Sequence, residues 1–113
     1  MNDRTKQRLK QILMFAARIR RVMSTTSLET FLSDVDIQDS VLYRLGQIGE
    51  AASKIPDDEQ EKYPAIFWDG MIGLRHRLFH EYYEIDLSRV YDVTQEPIAQ
   101  LVNNLEKILS GEL

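Results

Sequence analysis

The chain has 113 residues, 43% of them hydrophobic, with no cysteine and a formal net charge of −4. Such a length and apolar content suit one domain with a single core, here taken as residues 1–113, and argue against a disordered chain. The missing cysteine excludes a disulfide framework, a thiol nucleophile and a thiolate zinc site. It also fits a reducing compartment, and with no apolar signal core and no membrane-length apolar run a soluble, cytoplasmic protein with no membrane partner is expected.

The charge is uneven. Residues 1–23 carry seven basic side chains (Arg4, Lys6, Arg8, Lys10, Arg18, Arg20, Arg21) against Asp3, a local +6, which leaves −10 for the remainder. This segment reads either as a solvated helix face or as a local surface for phosphates or an acidic partner. A general nucleic-acid coat protein would be basic throughout, so nucleic acid should be met locally.

Within this segment Leu9, Ile12, Leu13, Ala16, Ile19 and Met23 recur at three- and four-residue steps and predict a first helix over about 4–23. "STTS" interrupts it, and Leu28, Phe31 and Leu32 predict a helical turn or two. Asp36 is the expected N-cap of a second long helix, about 37–54, built on Val41, Leu42, Leu45, Ile48 and Ala52. Gly46 and Gly49 lie inside it, each costing roughly 1 kcal/mol relative to alanine, so close approach of another helix is expected there.

Pro56 and Pro64 bracket a loop with a short acidic turn. A third helix is predicted from about Ala65 to His80, with Phe67, Met71, Leu74 and Leu78 apolar and with Gly70 and Gly73 again permitting tight contact. Phe67 and Trp68 are neighbours and cannot both face one core. Asp86 is the expected cap of a fourth helix carrying Leu87, Val90, Val93, Ile98, Leu101, Leu105 and Ile108, which Pro97 should kink or split. The fold expected is all-α: an antiparallel four-helix bundle with short extra turns and a proline-kinked last helix.

The third helix ends in "GLRHRLFHEYYEID" (73–86), which holds both histidines of the chain, His76 and His80, beside Arg75 and Arg77. Arginine offers a planar fork of donors that matches a phosphate, and histidine exchanges protons near neutrality. Together they supply a base for a ribose 2'-hydroxyl, an acid for the leaving 5'-oxygen and a cation for charge growing on phosphorus. No cofactor is needed for this chemistry. His76 and His80 stand at i and i+4, but no third ligand follows at a recognisable spacing and no H-E-x-x-H occurs, so no metal is expected.

Five residues of helix turn Arg75 and His80 about 140° apart, so one helix presents them only obliquely to a common phosphate. A two-fold partner would repair this by lending side chains across an interface. The same residues admit a second reading, in which Arg75 and Arg77 pair with Glu81 and Glu84 and His80 merely ends a helix near its negative pole.

The segment "RHRLFHEY" (75–82) resembles the R-x4-H-x-Y signature of the HEPN superfamily, specifically the HepT-like toxins of MNT/HEPN toxin-antitoxin pairs. "IGEAASKIP" (48–56), "YPAIFWDGMIGLRHRLFHEYYEID" (63–86) and a proline-bearing last helix follow that group in order and spacing, so the resemblance covers nearly the whole chain. It implies a metal-independent endoribonuclease acting on RNA as a homodimer, with its cleft between subunits. Arg75 carries over as the phosphate-binding, transition-state residue and His80 as general acid or base. His76, where the family often has asparagine or aspartate, and Arg77 become supporting phosphate-binding residues. Tyr82 matches the tyrosine that a cognate minimal nucleotidyltransferase antitoxin modifies with AMP, with Tyr83 as the adjacent alternative. The competing expectation is a non-catalytic helical module that docks, and is modified by, that nucleotidyltransferase.

Overall fold

The first apolar stripe winds into α1 (Asp3–Met23), which buries Leu9, Ile12, Ala16, Ile19 and Met23 and exposes all its basic side chains but the half-buried Arg8. Asn2 caps it, accepting the Thr5 amide hydrogen at 2.8 Å. These features come from a computed structural model that describes residues 1–111. A short α2 (Leu28–Ser33) follows, capped by Ser27 and anchored by the fully buried Phe31.

The second long helix, α3 (Val35–Ser53), starts earlier than the sequence suggests. Asp34, not Asp36, is its cap, its Oδ1 accepting the Ile37 amide hydrogen at 3.1 Å. Because α2 ends at Ser33, Asp34 is the only residue between the helices and its extended backbone serves both. Asp36 falls in the first turn, where a negative charge suits the positive pole of the helix.

The expected acidic turn between the prolines is a helix, α4 (Asp57–Glu61), and one of its acids faces inward. Glu59 is only 4% exposed: it accepts from Asn2 Nδ2 at 2.8 Å and Thr5 Oγ1 at 3.3 Å and pairs with Lys62 at 2.8 Å. A run of acids resembles a solvated loop, which is why the sequence does not betray this tie between the N-terminus and α4.

The third helix, α5 (Trp68–His80), begins three residues later than expected, since turns fill the stretch after Pro64. Trp68 goes inward at 8% exposure, its indole N–H shared between the Gln60 and Tyr63 carbonyls at 3.1 Å each, whereas Phe67 stays 78% exposed. A single 3-10 turn, Tyr82–Glu84, leads to Asp86, which caps α6 (Leu87–Val93) as expected. The last predicted helix is split rather than kinked. The break lies at Thr94–Gln95, and Pro97 occupies the first turn of α7 (Glu96–Leu109), where its missing N–H is no loss.

The four main helices α1, α3, α5 and α7 form an all-helical, antiparallel bundle, with no strand among the described residues. α1 packs on both α3 and α7, and α3 receives α5 on its other side. Gly49 sets that second seam: a Cβ there would lie 2.6 Å from the Met71 carbonyl oxygen and collide with the Arg75 Cβ, so α3 and α5 touch backbone to backbone. Gly46 is in ordinary contact range of Leu78, while Gly73 faces open space, contrary to the tight contact expected of it. α5 and α7 do not close on each other. An apolar cleft of about 650 Å³ opens between them, lined among others by Met71, Leu74, Val90, Val93, Ile98 and Leu101.

Candidate active site

The last turns of α5 carry Arg75, His76, Arg77 and His80. One helical turn separates the two exposed histidines, and their rings lie 4.4 Å apart at 45°. Two groups able to carry a proton therefore share one patch of surface. Arg77 is exposed at the lip of the cleft and forms no ion pair among the described residues.

Arg75 turns away from the histidines toward α3. Its Nε meets the Glu50 carboxylate, and its guanidinium carbon lies 4.9 Å from the centre of the Phe79 ring. The expected partners Glu81 and Glu84 are not used by Arg75. The reason is steric: with no side chain at Gly49, α3 comes close enough for the next residue, Glu50, to reach Arg75. Glu50 also pairs with Lys54, one turn on, at 3.4 Å. Desolvation works to raise the Glu50 carboxyl, but hydrogen bonds and charge from Arg75 and Lys54 outweigh it and hold the group below the ordinary carboxylate range.

Tyr82 follows α5 in the 3-10 turn and is 45% exposed. Its hydroxyl donates to Asp39 Oδ1 of α3 at 3.3 Å. Desolvation first, then the Asp39 charge and hydrogen bond, push the phenol above its usual value. Tyr83, 99% exposed, sets its ring edge-on to Tyr82 at 5.6 Å.

The fold thus gathers His76, His80, Arg75 and Tyr82 at one end of α5, with no hydrogen bond joining Arg75 to either histidine, as the helical angle between them anticipates. Sequence reading missed the two carboxylates that α3 supplies, Glu50 and Asp39, and the Phe79 ring. Glu50 carried one signal, its i, i+4 spacing from Lys54 directly after a helix-interior glycine; Asp39 carried none. No helix among the described residues is long and apolar enough to cross a membrane.

A family profile described as "Ribonuclease HepT-like" matches residues 12–108. Among similar curated proteins, "Putative RNase MJ0125" of Methanocaldococcus jannaschii is 33% identical over 101 residues, 89% of this chain and 87% of its own. "Putative RNase MJ1216" of the same organism is 33% identical over 101 residues, covering 89% and 84%. "Probable ribonuclease HepT" of Thermococcus cleftensis is 35% identical over 80 residues, 71% of this chain and 73% of its own. No solved structure matches the chain.

Proposed function

This chain belongs to the ribonuclease HepT-like family, endoribonucleases of the HEPN superfamily, and we propose that it cleaves RNA by metal-independent transesterification at a site built from Arg75, His80 and His76. One histidine takes the proton of a ribose 2'-hydroxyl, whose oxygen attacks the adjacent phosphorus. The bond to the 5'-oxygen breaks, and that oxygen leaves with a proton from the other histidine. Arg75 holds the non-bridging oxygens as their charge grows, and Arg77 assists in binding phosphate. The products are a 2',3'-cyclic phosphate and a 5'-hydroxyl.

The observation that carries this reading is the pair of histidine rings at 4.4 Å beside an arginine whose buried Nε is anchored to a second helix. Arg75 and the histidines diverge around α5, which supports a homodimer in which each cleft draws side chains from both copies.

In this reading the protein is the toxin of a toxin-antitoxin pair, and its partner is a minimal nucleotidyltransferase that silences it by binding, by transfer of AMP to Tyr82, or by both. An adenylate two residues from His80 adds negative charge and bulk where an RNA phosphate must sit. Exposure alone favours Tyr83 as the acceptor. Tyr82 has the chemical advantage, because Asp39 stands ready to receive its proton.

The deciding experiment is cleavage of RNA in EDTA by wild type, Arg75→Ala and His80→Ala, with the product ends identified. Cyclic phosphate ends from wild type and at least a hundredfold loss in both variants are expected. A second reading, the docking module without catalysis, is favoured by the open apolar cleft between α5 and α7. Folded wild type that cuts no RNA yet still accepts AMP on Tyr82 would establish that reading instead.

A further inference from the structure

We infer that Glu50 is a positioning residue for RNA cleavage: by holding Arg75 through Nε, it fixes the guanidinium plane and leaves both terminal nitrogens to face the scissile phosphate. The inference rests on the ribonuclease reading and adds a residue from another helix to its machinery.

A guanidinium has five N–H donors in a rigid fork. In Arg75 the Nε is shut off from solvent, so neither water nor RNA reaches it, and the Glu50 carboxylate meets it as a close ion contact rather than as an aligned hydrogen bond. Among the described residues the terminal nitrogens donate no hydrogen bond, and the ion pair to Glu50 is closest at Nε. One edge of the fork is therefore committed to the protein and the other is free. Phe79 limits swinging of the guanidinium plane, with its ring 4.9 Å from the guanidinium carbon.

The backbone brings the pair within reach. Gly49 lies against the Met71 carbonyl and the Arg75 Cβ with no room for a side chain, so the two helices cannot separate at this point without losing their closest contact. Glu50 is the next residue along α3, already half-buried beside Arg75.

The sign of the charge distinguishes positioning from binding. A carboxylate beside a phosphate-binding arginine repels RNA, and Lys54 at 3.4 Å only partly offsets it. A surface selected for affinity alone would be better off without Glu50. What the carboxylate supplies is orientation, and misplacing a transition-state group by about 1 Å costs on the order of a hundredfold in rate.

The test has two readouts. In 15N-labelled protein the Arg75 Nε–H resonance, assigned by its disappearance in Arg75→Lys, should be visible in wild type and broadened away by solvent exchange in Glu50→Ala. In cleavage of an RNA oligonucleotide, Glu50→Ala should lower kcat about ten- to a hundredfold while KM stays level or falls, with Glu50→Gln, which keeps an acceptor oxygen, in between. Intact helical circular dichroism and a cooperative melt accompany that result. An Arg75 resonance indifferent to Glu50→Ala overturns the inference, as does a rate loss matched by a rise in KM. Wild type that cuts no RNA while the resonance still depends on Glu50 overturns it differently: the pair is real, and the ribonuclease reading has failed.

Discussion

Asp39 decides much of the character of Tyr82, although the two are 43 residues apart in sequence. Replacing Asp39 by asparagine removes a negative charge from beside the phenol and should lower the Tyr82 pKa toward the ordinary tyrosine value, as ultraviolet titration against a Tyr82→Phe background would read. The same substitution should slow transfer of AMP to Tyr82, and Tyr82→Phe should abolish it; a Tyr82→Phe protein still modified by its partner would shift the acceptor to Tyr83. The arginines, histidines and Tyr82 were legible in the sequence because their chemistry lies in their own side chains and they fall within eight consecutive positions. Glu50 and Asp39 were not, because a carboxylate on a helix declares nothing about its partner until a second helix is laid against it.

Two glycines test the seam between α3 and α5 in opposite directions. Gly49→Ala drives a methyl group into the Met71 carbonyl and the Arg75 side chain, and should destabilise the protein by roughly 1–3 kcal/mol. Gly73 sits in the interior of α5 facing open space, so Gly73→Ala should stabilise by roughly 0.5–1 kcal/mol through lower chain entropy. Urea denaturation of both variants checks the pair, and two changes of like sign would contradict the packing described. The long helical segments and most of their apolar faces were legible from periodicity, as was the Asp86 cap, whereas α4 and the place of the division between α6 and α7 were not read as such. The starts of α3 and α5 were not, since Asp34 and Asp36 are chemically equal as caps and only the end of α2 chooses between them.

Across the whole molecule, the Glu59 carboxylate of α4 fastens the N-terminal segment by accepting from Asn2 and Thr5, while it pairs with Lys62 at the end of its own helix. A hydrogen bond from Lys62 leads the effects that hold the Glu59 carboxyl low, and the Glu59 partner in turn raises Lys62. A depressed carboxyl stabilises the fold above its unfolded pKa of about 4.3, and that stability is lost as pH falls through the folded value. A raised lysine contributes below its unfolded pKa of about 10.4, and that part is lost as pH rises through the folded value. The melting-temperature gap between wild type and Glu59→Gln should therefore be widest between these limits and close on acidification. The +6 of residues 1–23 also acts at this scale: reversing Arg18 and Arg21 to glutamate should raise KM for RNA several-fold at low salt and hardly at all at high salt. Overall charge imbalance was plain in the sequence. The open cleft was not, because α5 and α7 each carry an ordinary apolar stripe and nothing in a stripe states which neighbour will cover it.

The helix that carries the arginine and both histidines packs on a single main helix: α5 leans on α3 and leaves its other flank to the cleft. Its only buried side chain, Trp68, lies at its beginning. In hydrogen-exchange terms the chain should contain two cooperative units, a slow one made of α1, α3 and α7 and a faster one made of α5 with the turn that follows. Amides of residues 75–80 should exchange through an opening smaller than global unfolding, and a partner that fills the cleft should slow them to the rate of the rest.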